Sequence, residues 1–241
     1  MAAVCPICDD TGFKIVTRGG VEGAAPCDCR VPVLSKALLE RSGIPQAYAG
    51  CTLENFKLSQ IKEPGLFVGF ARTVIEVRKY ESEFNRLEVP GLALFGRPGS
   101  GKTHLAVATM REIMRHWGTP AVFLDCAKML EQVRQTFGTG GAGKSEALTA
   151  AKLSTLVVLD DLGAQTASEW VQDTIAAVIN ERYNARLSTI VTTSLEPDEI
   201  STKLGPRTAS RLMGMCRYLQ LPRGAADFRA THSLVRKRKG V

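Results

Sequence analysis

The stretch LALFGRPGSGKTH, residues 92–104, decides the fold of this 241-residue chain. Its first four residues are apolar and predict a buried strand. Residues 96–103 match G-x-x-x-x-G-K-T, the pattern of a loop whose backbone N–H groups wrap around a phosphate. A helix predicted to begin at Lys102 adds its positive N-terminal end to the same anion site.

The loop pattern assigns roles to individual side chains. We expect Lys102 to reach the β- and γ-phosphates of ATP and the Thr103 hydroxyl to ligate Mg²⁺. The other residues expected to contact the nucleotide are Gly96, Pro98, Gly99, Ser100, Gly101 and His104. The alternative, a glycine turn without a ligand, leaves the preceding strand, the following helix and the complete eight-residue match unexplained.

A second apolar run, LVVLDD at residues 156–161, predicts a buried strand that ends in two acids. Such a strand is the expected partner of a phosphate loop. Asp160 would then hold the Mg²⁺, and Asp161 would polarise the attacking water. A strand that merely ends in acidic turn residues is the alternative.

The order of the predicted elements indicates an α/β fold. Apolar runs predict five short strands at 92–95, 121–124, 156–161, 189–194 and 218–221. Helical patterns fall at 33–41, 65–86, 105–117, 128–137 and 168–185, and the glycine-rich stretch 138–144 predicts a mobile loop. Alternating strands and helices form a parallel sheet, with ligands at the carboxyl ends of the strands. Ser194, at the end of the fourth strand, would therefore lie close to the γ-phosphate or its water.

Cysteines near the beginning of the chain predict a zinc site. The four are Cys5, Cys8, Cys27 and Cys29, two close pairs that could supply a tetrahedral thiolate set. A turn and a strand within 11–16 and a hairpin turn at 18–20 would separate the pairs. Four protein ligands leave no position for water, so the role would be structural. A disulfide pair and an iron–sulfur cluster are the alternatives. Cys51, Cys126 and Cys216 have apolar neighbours, which indicates buried or inert thiols.

Charge and composition restrict the partners. The net charge is +7, and four consecutive basic residues occupy positions 236–239. A basic chain suits polyanionic partners, and a tail that only aids solubility is the alternative. No apolar run approaches the ~20 residues of a membrane span, and the first residues lack a secretory signal. We therefore expect a cytoplasmic protein with no membrane partner.

Several motifs together resemble the DnaC/DnaI-type loaders of bacterial or phage replicative helicases, which are AAA+ ATPases, and the related IstB-like ATP-binding proteins. The resemblance covers roughly residues 43–230. It rests on Ile44-Pro45 with Tyr48, TLENF at 52–56, GRPGSGKTHLA at 96–106, LVVLDDLG at 156–163, INERY at 179–183 and SRL at 210–212.

The resemblance implies an AAA+ P-loop NTPase core whose helical lid is absent or vestigial, since 47 residues follow Ser194. Together with the cysteine pattern, it divides the chain into four parts. The parts are a four-cysteine zinc-binding module at 1–30, a linker helix and lead-in at 31–50, an ATPase domain at 51–230 and a basic tail at 231–241.

Further side-chain roles follow from the same resemblance. Ser194 occupies the sensor-1 position, where the family usually has Asn, and Asp161 stands where many AAA+ proteins have Glu. Arg211 matches the arginine finger that acts on the ATP of a neighbouring subunit, with Arg207 as its rival. Arg229 resembles a sensor-2 arginine that acts on the ATP of its own subunit.

The implied function is ATP-dependent loading of a hexameric replicative helicase onto single-stranded DNA. ATP, Mg²⁺ and Zn²⁺ would be the cofactors, subunits would associate through the ATP interface, and hydrolysis would be slow without DNA or a partner. Lys128, Arg134, Phe137 and Lys144 could contact single-stranded DNA, or they belong to a solvated helix face. Two alternatives stay open: an IstB-like ATPase that regulates a transposase on duplex DNA, and a zinc-dependent adaptor that uses ATP as a structural ligand.

Overall fold

The computed structural model describes residues 5–9, 11, 13–18, 21–27, 31–58, 61–84, 91–138, 145–224, 227 and 228. Its strands are β1 (Phe13–Arg18), β2 (Val21–Pro26), β3 (Gly91–Phe95), β4 (Ala121–Asp125), β5 (Leu156–Asp160), β6 (Ser188–Thr193) and β7 (Cys216–Gln220). Its helices are α1 (Val31–Arg41), α2 (Pro64–Ser82), α3 (Lys102–Trp117), α4 (Cys126–Gly138), α5 (Glu146–Leu153), α6 (Glu169–Asn184), α7 (Pro197–Leu204) and α8 (Pro206–Met215).

Five strands form one parallel sheet in the order β4-β5-β6-β3-β7. Strand β6 lies between the strand that leads into the phosphate loop and the strand that ends in the two acids. Because parallel strands have their carboxyl ends at one edge, the loop after β3 and the turn after β5 lie at the same edge of the sheet, one on each side of the end of β6. The predicted α/β fold with a five-stranded parallel sheet is confirmed.

Alternate side chains of each strand enter two separate apolar cores, as the period of two in a strand requires. On β3, Leu92 and Leu94 join a core with α2 and α3, whereas Ala93 and Phe95 join a core with α4, α6, α7 and α8. The sheet is therefore covered on both faces, which explains why its strands read as continuous apolar runs.

Arg182 fixes the packing of α6 and is fully buried. Its guanidinium donates to the Thr189 hydroxyl at 2.8 Å and to the carbonyl oxygens of Ala151 at 3.0 Å and Ser154 at 2.8 Å, and also to that of Ser188. The side chain thus joins the end of α5, helix α6 and the beginning of β6. Its role in this chain is structural.

Several element boundaries differ from the sequence-based expectation. The five sheet strands were predicted to within two residues, but α5, α7, α8 and β2 were not predicted. Helix α2 ends at Ser82 rather than at residue 86. The strand predicted after a turn within 11–16 is β1 at Phe13–Arg18, which pairs with β2 in an antiparallel hairpin. The glycine-rich residues 139–144 lie outside the described residues.

The residues after Phe228 also lie outside the described part, so the absence of a lid stays a prediction. Among the described helices, none combines the length and the apolarity that a membrane-spanning helix needs.

Candidate functional site

The phosphate loop turns sharply at three glycines. Gly96, Gly99 and Gly101 have φ angles of 155°, 77° and 93°, in the region that side chains disfavour. A methyl group on Gly101 would also lie 2.6 Å from the Phe56 ring. Helix α3 begins directly after Gly101 and directs its first N–H groups into the loop, so the backbone has the form of an anion site.

Lys102 lies inside this loop and is only 7% exposed. Its ammonium donates to the Gly96 carbonyl at 2.7 Å, the Arg97 carbonyl at 3.0 Å and the Ser194 hydroxyl at 3.3 Å. The loop lysine and the predicted sensor-1 residue are thus brought together across β3 and β6. Ser194 is itself exposed, so its hydroxyl lies where the loop meets solvent.

The acid that ends β5 is linked directly to the loop. The Thr103 hydroxyl donates to Asp160 Oδ1 at 2.9 Å, and the Thr192 hydroxyl donates to the same oxygen at 2.6 Å. Burial raises the pKa of the Asp160 carboxyl; the two hydroxyl donors lower that pKa, and nearby Asp161 and Asp125 raise it. A divalent cation beside this carboxyl would favour its charged form, which fits a magnesium site shared with Thr103.

Asp161 has a left-handed backbone, with φ at 56°, and an exposed side chain. A non-glycine residue in this region costs of order 1–3 kcal/mol, which neighbouring contacts must offset. The Asp161 N–H donates to the Thr192 hydroxyl at 2.9 Å, and the Leu162 N–H donates to the Thr192 carbonyl at 2.8 Å. The turn that presents Asp161 is therefore held by β6.

His104, the residue after the loop threonine, faces the lead-in segment. Its Nε2 lies 2.9 Å from the Thr52 carbonyl, and its ring packs edge-on against Phe56 with centroids 5.3 Å apart. The Thr52 and Asn55 side chains bond to each other's backbone N–H groups and so close this turn. His104 thereby connects the first turn of α3 to the lead-in.

A segment near residue 228 also contacts the loop. The Phe228 N–H donates to the Gly99 carbonyl at 3.1 Å, and its ring packs between Phe56 and Phe70 at 5.7 Å from each centroid. The Asp227 carboxylate lies so close to Gly99 that a methyl group there would approach it to 2.2 Å. These contacts hold residues 227 and 228 at the loop; Arg229 lies outside the described residues, so its sensor-2 role stays a prediction.

Arg211 and Arg207 both lie on α8, Arg211 half-buried and Arg207 exposed. Neither forms an ion pair with an acid of the described residues. On the same side of α8, the exposed Tyr183 packs at Gly214, whereas the exposed Met213 lies on another side of the helix. The arginine finger candidates therefore belong to an outward-facing surface that also includes Tyr183.

Of the four residues predicted to contact DNA, two have side chains that the structure describes. Lys128 and Arg134 are exposed on α4, and the Arg134 guanidinium lies 5.9 Å above the Trp170 ring. That internal cation–π contact favours the alternative for Arg134, a helix-face residue with a partner in its own chain. The side chain of Phe137, and Lys144, lie outside the described residues.

Three of the four predicted zinc ligands lie together. The sulfur atoms of Cys5, Cys8 and Cys27 are all within 4.8 Å of one another, and Cys29 lies outside the described residues. The Cys5 and Cys27 sulfurs are 3.8 Å apart, too far for a disulfide bond. Zn–S bonds of about 2.3 Å in a tetrahedron place sulfurs ~3.8 Å apart, so this donor set fits zinc.

Cys51, Cys126 and Cys216 are buried, as predicted.

Sequence reasoning missed Thr192, Asp227 and the aromatic contacts of Phe56 and Phe228. For Thr192 a signal existed, because a Thr-Thr-Ser run at 192–194 ends a strand beside two acids. For the other three no local pattern existed, because their contacts depend on chain segments that lie far apart in sequence.

Comparison with known proteins gives sequence and fold relatives. The chain is 26% identical to the replicative helicase loader DnaC of Escherichia coli (strain K12) over 172 residues, 71% of this chain and 66%, just under two thirds, of that protein. It is 27% identical over 228 residues to the phage-like element PBSX protein XkdC of Bacillus subtilis (strain 168), covering 92% of this chain and 83% of XkdC.

A crystal structure of the DnaC helicase loader superposes with a TM-score of 0.65 at 29% identity, covering 74% of this chain and all of that one. The family model described as IstB-like ATP binding protein matches residues 83–214, which is 132 of the 241 residues. This match spans the phosphate loop, both acids and the two arginines of α8. The chain therefore belongs to the IstB-like ATP-binding protein family, and it is similar in sequence and fold to the DnaC-type AAA+ loaders.

Proposed function

We propose that this protein binds Mg-ATP at the carboxyl edge of β3, β5 and β6 and uses it to load a hexameric replicative helicase onto single-stranded DNA. The observation that carries ATP binding is the hydrogen bond from Thr103 to Asp160, because it joins the phosphate loop to the acidic strand. The similarity to DnaC supports the loading function.

Each side chain then has a chemical task. Lys102 would exchange its two loop carbonyls for phosphate oxygens, and Thr103 with Asp160 would hold Mg²⁺. Asp161 would orient the attacking water, and Ser194 would contact the γ-phosphate. Both of these side chains are shorter than the Glu and Asn usual at their positions. Hydrolysis would consequently be slow until a neighbouring subunit completes the site.

The neighbouring subunit would supply Arg211. An arginine that stabilises transition-state charge on transferring phosphate is worth a large factor in turnover. Arg211 lacks an acidic partner among the described residues of its own chain, and the exposed Tyr183, which packs at Gly214 on the same side of α8, suits a protein interface. ATP binding would thus favour assembly of subunits around the helicase and the DNA.

We further propose the division into a zinc module at 1–30, a lead-in at 31–50, an ATPase domain at 51–230 and a basic tail at 231–241. The cysteine cluster supports the first part, because a two-stranded hairpin of this size needs a metal to fold. Zinc would stabilise the module and take no part in hydrolysis.

The family match favours a second candidate, regulation of a transposase on duplex DNA. The two functions share the nucleotide site but differ in partner. Oligomers that form with ATP on long duplex DNA, without binding to a helicase, would favour this second candidate.

Native mass spectrometry of the protein mixed with its host's hexameric helicase, with and without ATP, tests the proposal. We expect an ATP-dependent complex of defined stoichiometry. Absence of a complex under both conditions would reject loading and direct the next experiment to duplex DNA.

Three variants test the nucleotide chemistry. Lys102→Ala should lose nucleotide binding, whereas Arg211→Ala should bind ATP but lose the turnover stimulated by helicase and single-stranded DNA, by about 10³-fold. Arg207→Ala, one helical turn earlier on the same helix, is the matched comparison. Full stimulated turnover in Arg211→Ala together with its loss in Arg207→Ala would transfer the finger role to Arg207.

A further inference from the structure

We infer that Thr192 is a positioning residue that couples the two acids after β5, an inference that rests on the proposed ATPase function. Thr192 is 1% exposed and belongs to β6, the strand between the phosphate-loop strand and the acidic strand. Its hydroxyl lies 2.6 Å from Asp160 Oδ1 and 2.9 Å from the Asp161 nitrogen. One side-chain oxygen therefore contacts both residues proposed for metal binding and water activation.

The direction of these two hydrogen bonds is fixed by their partners. A backbone N–H can only donate, so the Thr192 oxygen accepts from Asp161. A carboxylate can only accept, so the single hydroxyl hydrogen of Thr192 points to Asp160. The result is an ordered chain from the Asp161 N–H through Thr192 to the Asp160 carboxylate, in which each bond polarises the next.

The same residue holds the unusual backbone of Asp161. That residue has φ at 56°, and the next N–H, from Leu162, donates to the Thr192 carbonyl. The adjacent Thr193 hydroxyl donates to the Leu162 carbonyl at 2.7 Å. Strand β6 thus also forms hydrogen bonds with the two residues that follow β5. These bonds fix the backbone conformation of Asp161 and with it the direction of its side chain.

The geometry at Asp160 gives the consequence for metal binding. Thr103 and Thr192 both donate to Oδ1, and within the described part of the chain no donor contacts Oδ2. A carboxylate held through one oxygen presents the other in a fixed direction, which orients a metal ligand as donors around metal sites do elsewhere. Thr192 should therefore affect magnesium dependence more than nucleotide affinity.

Thr192→Val removes the hydroxyl but keeps the β-branched shape that a buried strand accepts. Thr192→Ser restores the hydroxyl without the methyl group. Thr109→Val is the matched control, because the Thr109 hydroxyl is also fully buried but bonds only to the Leu105 carbonyl of its own helix. The three full-length variants are compared with the wild type by the same measurements.

Amide hydrogen exchange measured by NMR reports positioning without any need for activity. We expect the Asp161 amide to exchange about tenfold faster in Thr192→Val, because its acceptor is gone, and at the wild-type rate in Thr192→Ser and Thr109→Val. Unchanged exchange at Asp161 in Thr192→Val would overturn the inference.

Magnesium titrations report the coupling to the metal. Loss of an outer partner of a metal ligand typically costs 10–100-fold in metal affinity or activity. In Thr192→Val we expect the Mg²⁺ concentration for half-maximal turnover to rise about tenfold and kcat to fall at least tenfold. The KM for ATP and nucleotide binding in EDTA should stay within about twofold, and Thr192→Ser should recover most of kcat.

Two results would contradict this role. A Thr192→Ser variant as impaired as Thr192→Val would show that packing, not the hydroxyl, matters. Wild-type magnesium dependence in Thr192→Val would show that the hydroxyl does not direct Asp160. If instead the wild type itself shows no magnesium-dependent binding of ATP, the proposed function fails, and the exchange rates at Asp161 still decide whether Thr192 holds the turn.

Discussion

Replacement of Arg182 by Ala should destabilise the protein severely without touching the nucleotide. The change removes the donor to three carbonyl groups, that of Ala151 buried and those of Ser154 and Ser188 part-buried, and to the buried Thr189 hydroxyl. Each acceptor left unpaired costs about 1–3 kcal/mol, and the lower value applies where water can enter the vacated space. Three carbonyl groups left unpaired at about 1 kcal/mol each, and one lost hydrogen bond to Thr189 at about 1 kcal/mol, give a loss of about 4 kcal/mol in the free energy of unfolding.

Urea denaturation measures this loss. With an m-value of about 3 kcal/mol/M, a loss of about 4 kcal/mol lowers the midpoint by about 1.3 M. The urea midpoint of Arg182→Lys should lie between those of Arg182→Ala and the wild type, because an ammonium keeps the charge and some donors but lacks the planar arrangement of the guanidinium donors. Arg72→Ala, an exposed arginine on α2, is the control and should stay within about 0.5 kcal/mol of wild type.

Two results would contradict the structural role of Arg182. A loss below about 1 kcal/mol in Arg182→Ala would show that the buried bonds of the guanidinium do not hold α5, α6 and β6 together. A stable variant that no longer assembles with its partners would refute the structural role and assign Arg182 to an interface.

Three further outcomes are expected. Gly101→Ala should lose nucleotide binding and cost more stability than Gly118→Ala, because both have positive φ but only the first would clash with a neighbouring ring; urea midpoints compare them. Metal analysis should find one zinc per chain, lost in Cys8→Ser and kept in Cys126→Ser. Burial raises the pKa of the Cys216 thiol to about 12, above its ordinary 9.0, so iodoacetamide at pH 8 should leave this thiol unlabelled until urea unfolds the chain. Because the thiol has a higher pKa in the folded than in the unfolded protein, the free energy of unfolding should begin to fall above pH 9.

The sheet and the phosphate loop could be predicted because their signals are local. Residues 92–95 and 156–159 are apolar runs long enough for buried strands, and the glycines of the loop have a fixed spacing. Burial on both faces of the sheet then made those runs continuous. The loop lysine, the loop threonine and the first acid accordingly meet where parallel strands end.

Short helices escaped prediction because eight to ten residues carry few helical repeats. Helices α7 and α8 each begin with a proline, and a capping box formed by Glu196 and Glu199 closes the first turn of α7. Those signals were present but weak. The burial of Arg182 could not be predicted at all, since a charged residue in a helix reads as a solvent-facing one until the carbonyl groups around it are known.

The insertion of β6 between β3 and β5 sets when the site can form during synthesis. The loop strand and the acidic strand are not neighbours, and the strand that joins them is residues Ser188–Thr193. A nascent chain in which β6 has not yet emerged from the ribosome therefore contains the phosphate loop and both acids but lacks the strand that lies between them. ATP would become a ligand only after most of this domain has been synthesised, as an addition that stabilises the domain rather than a template that guides its folding.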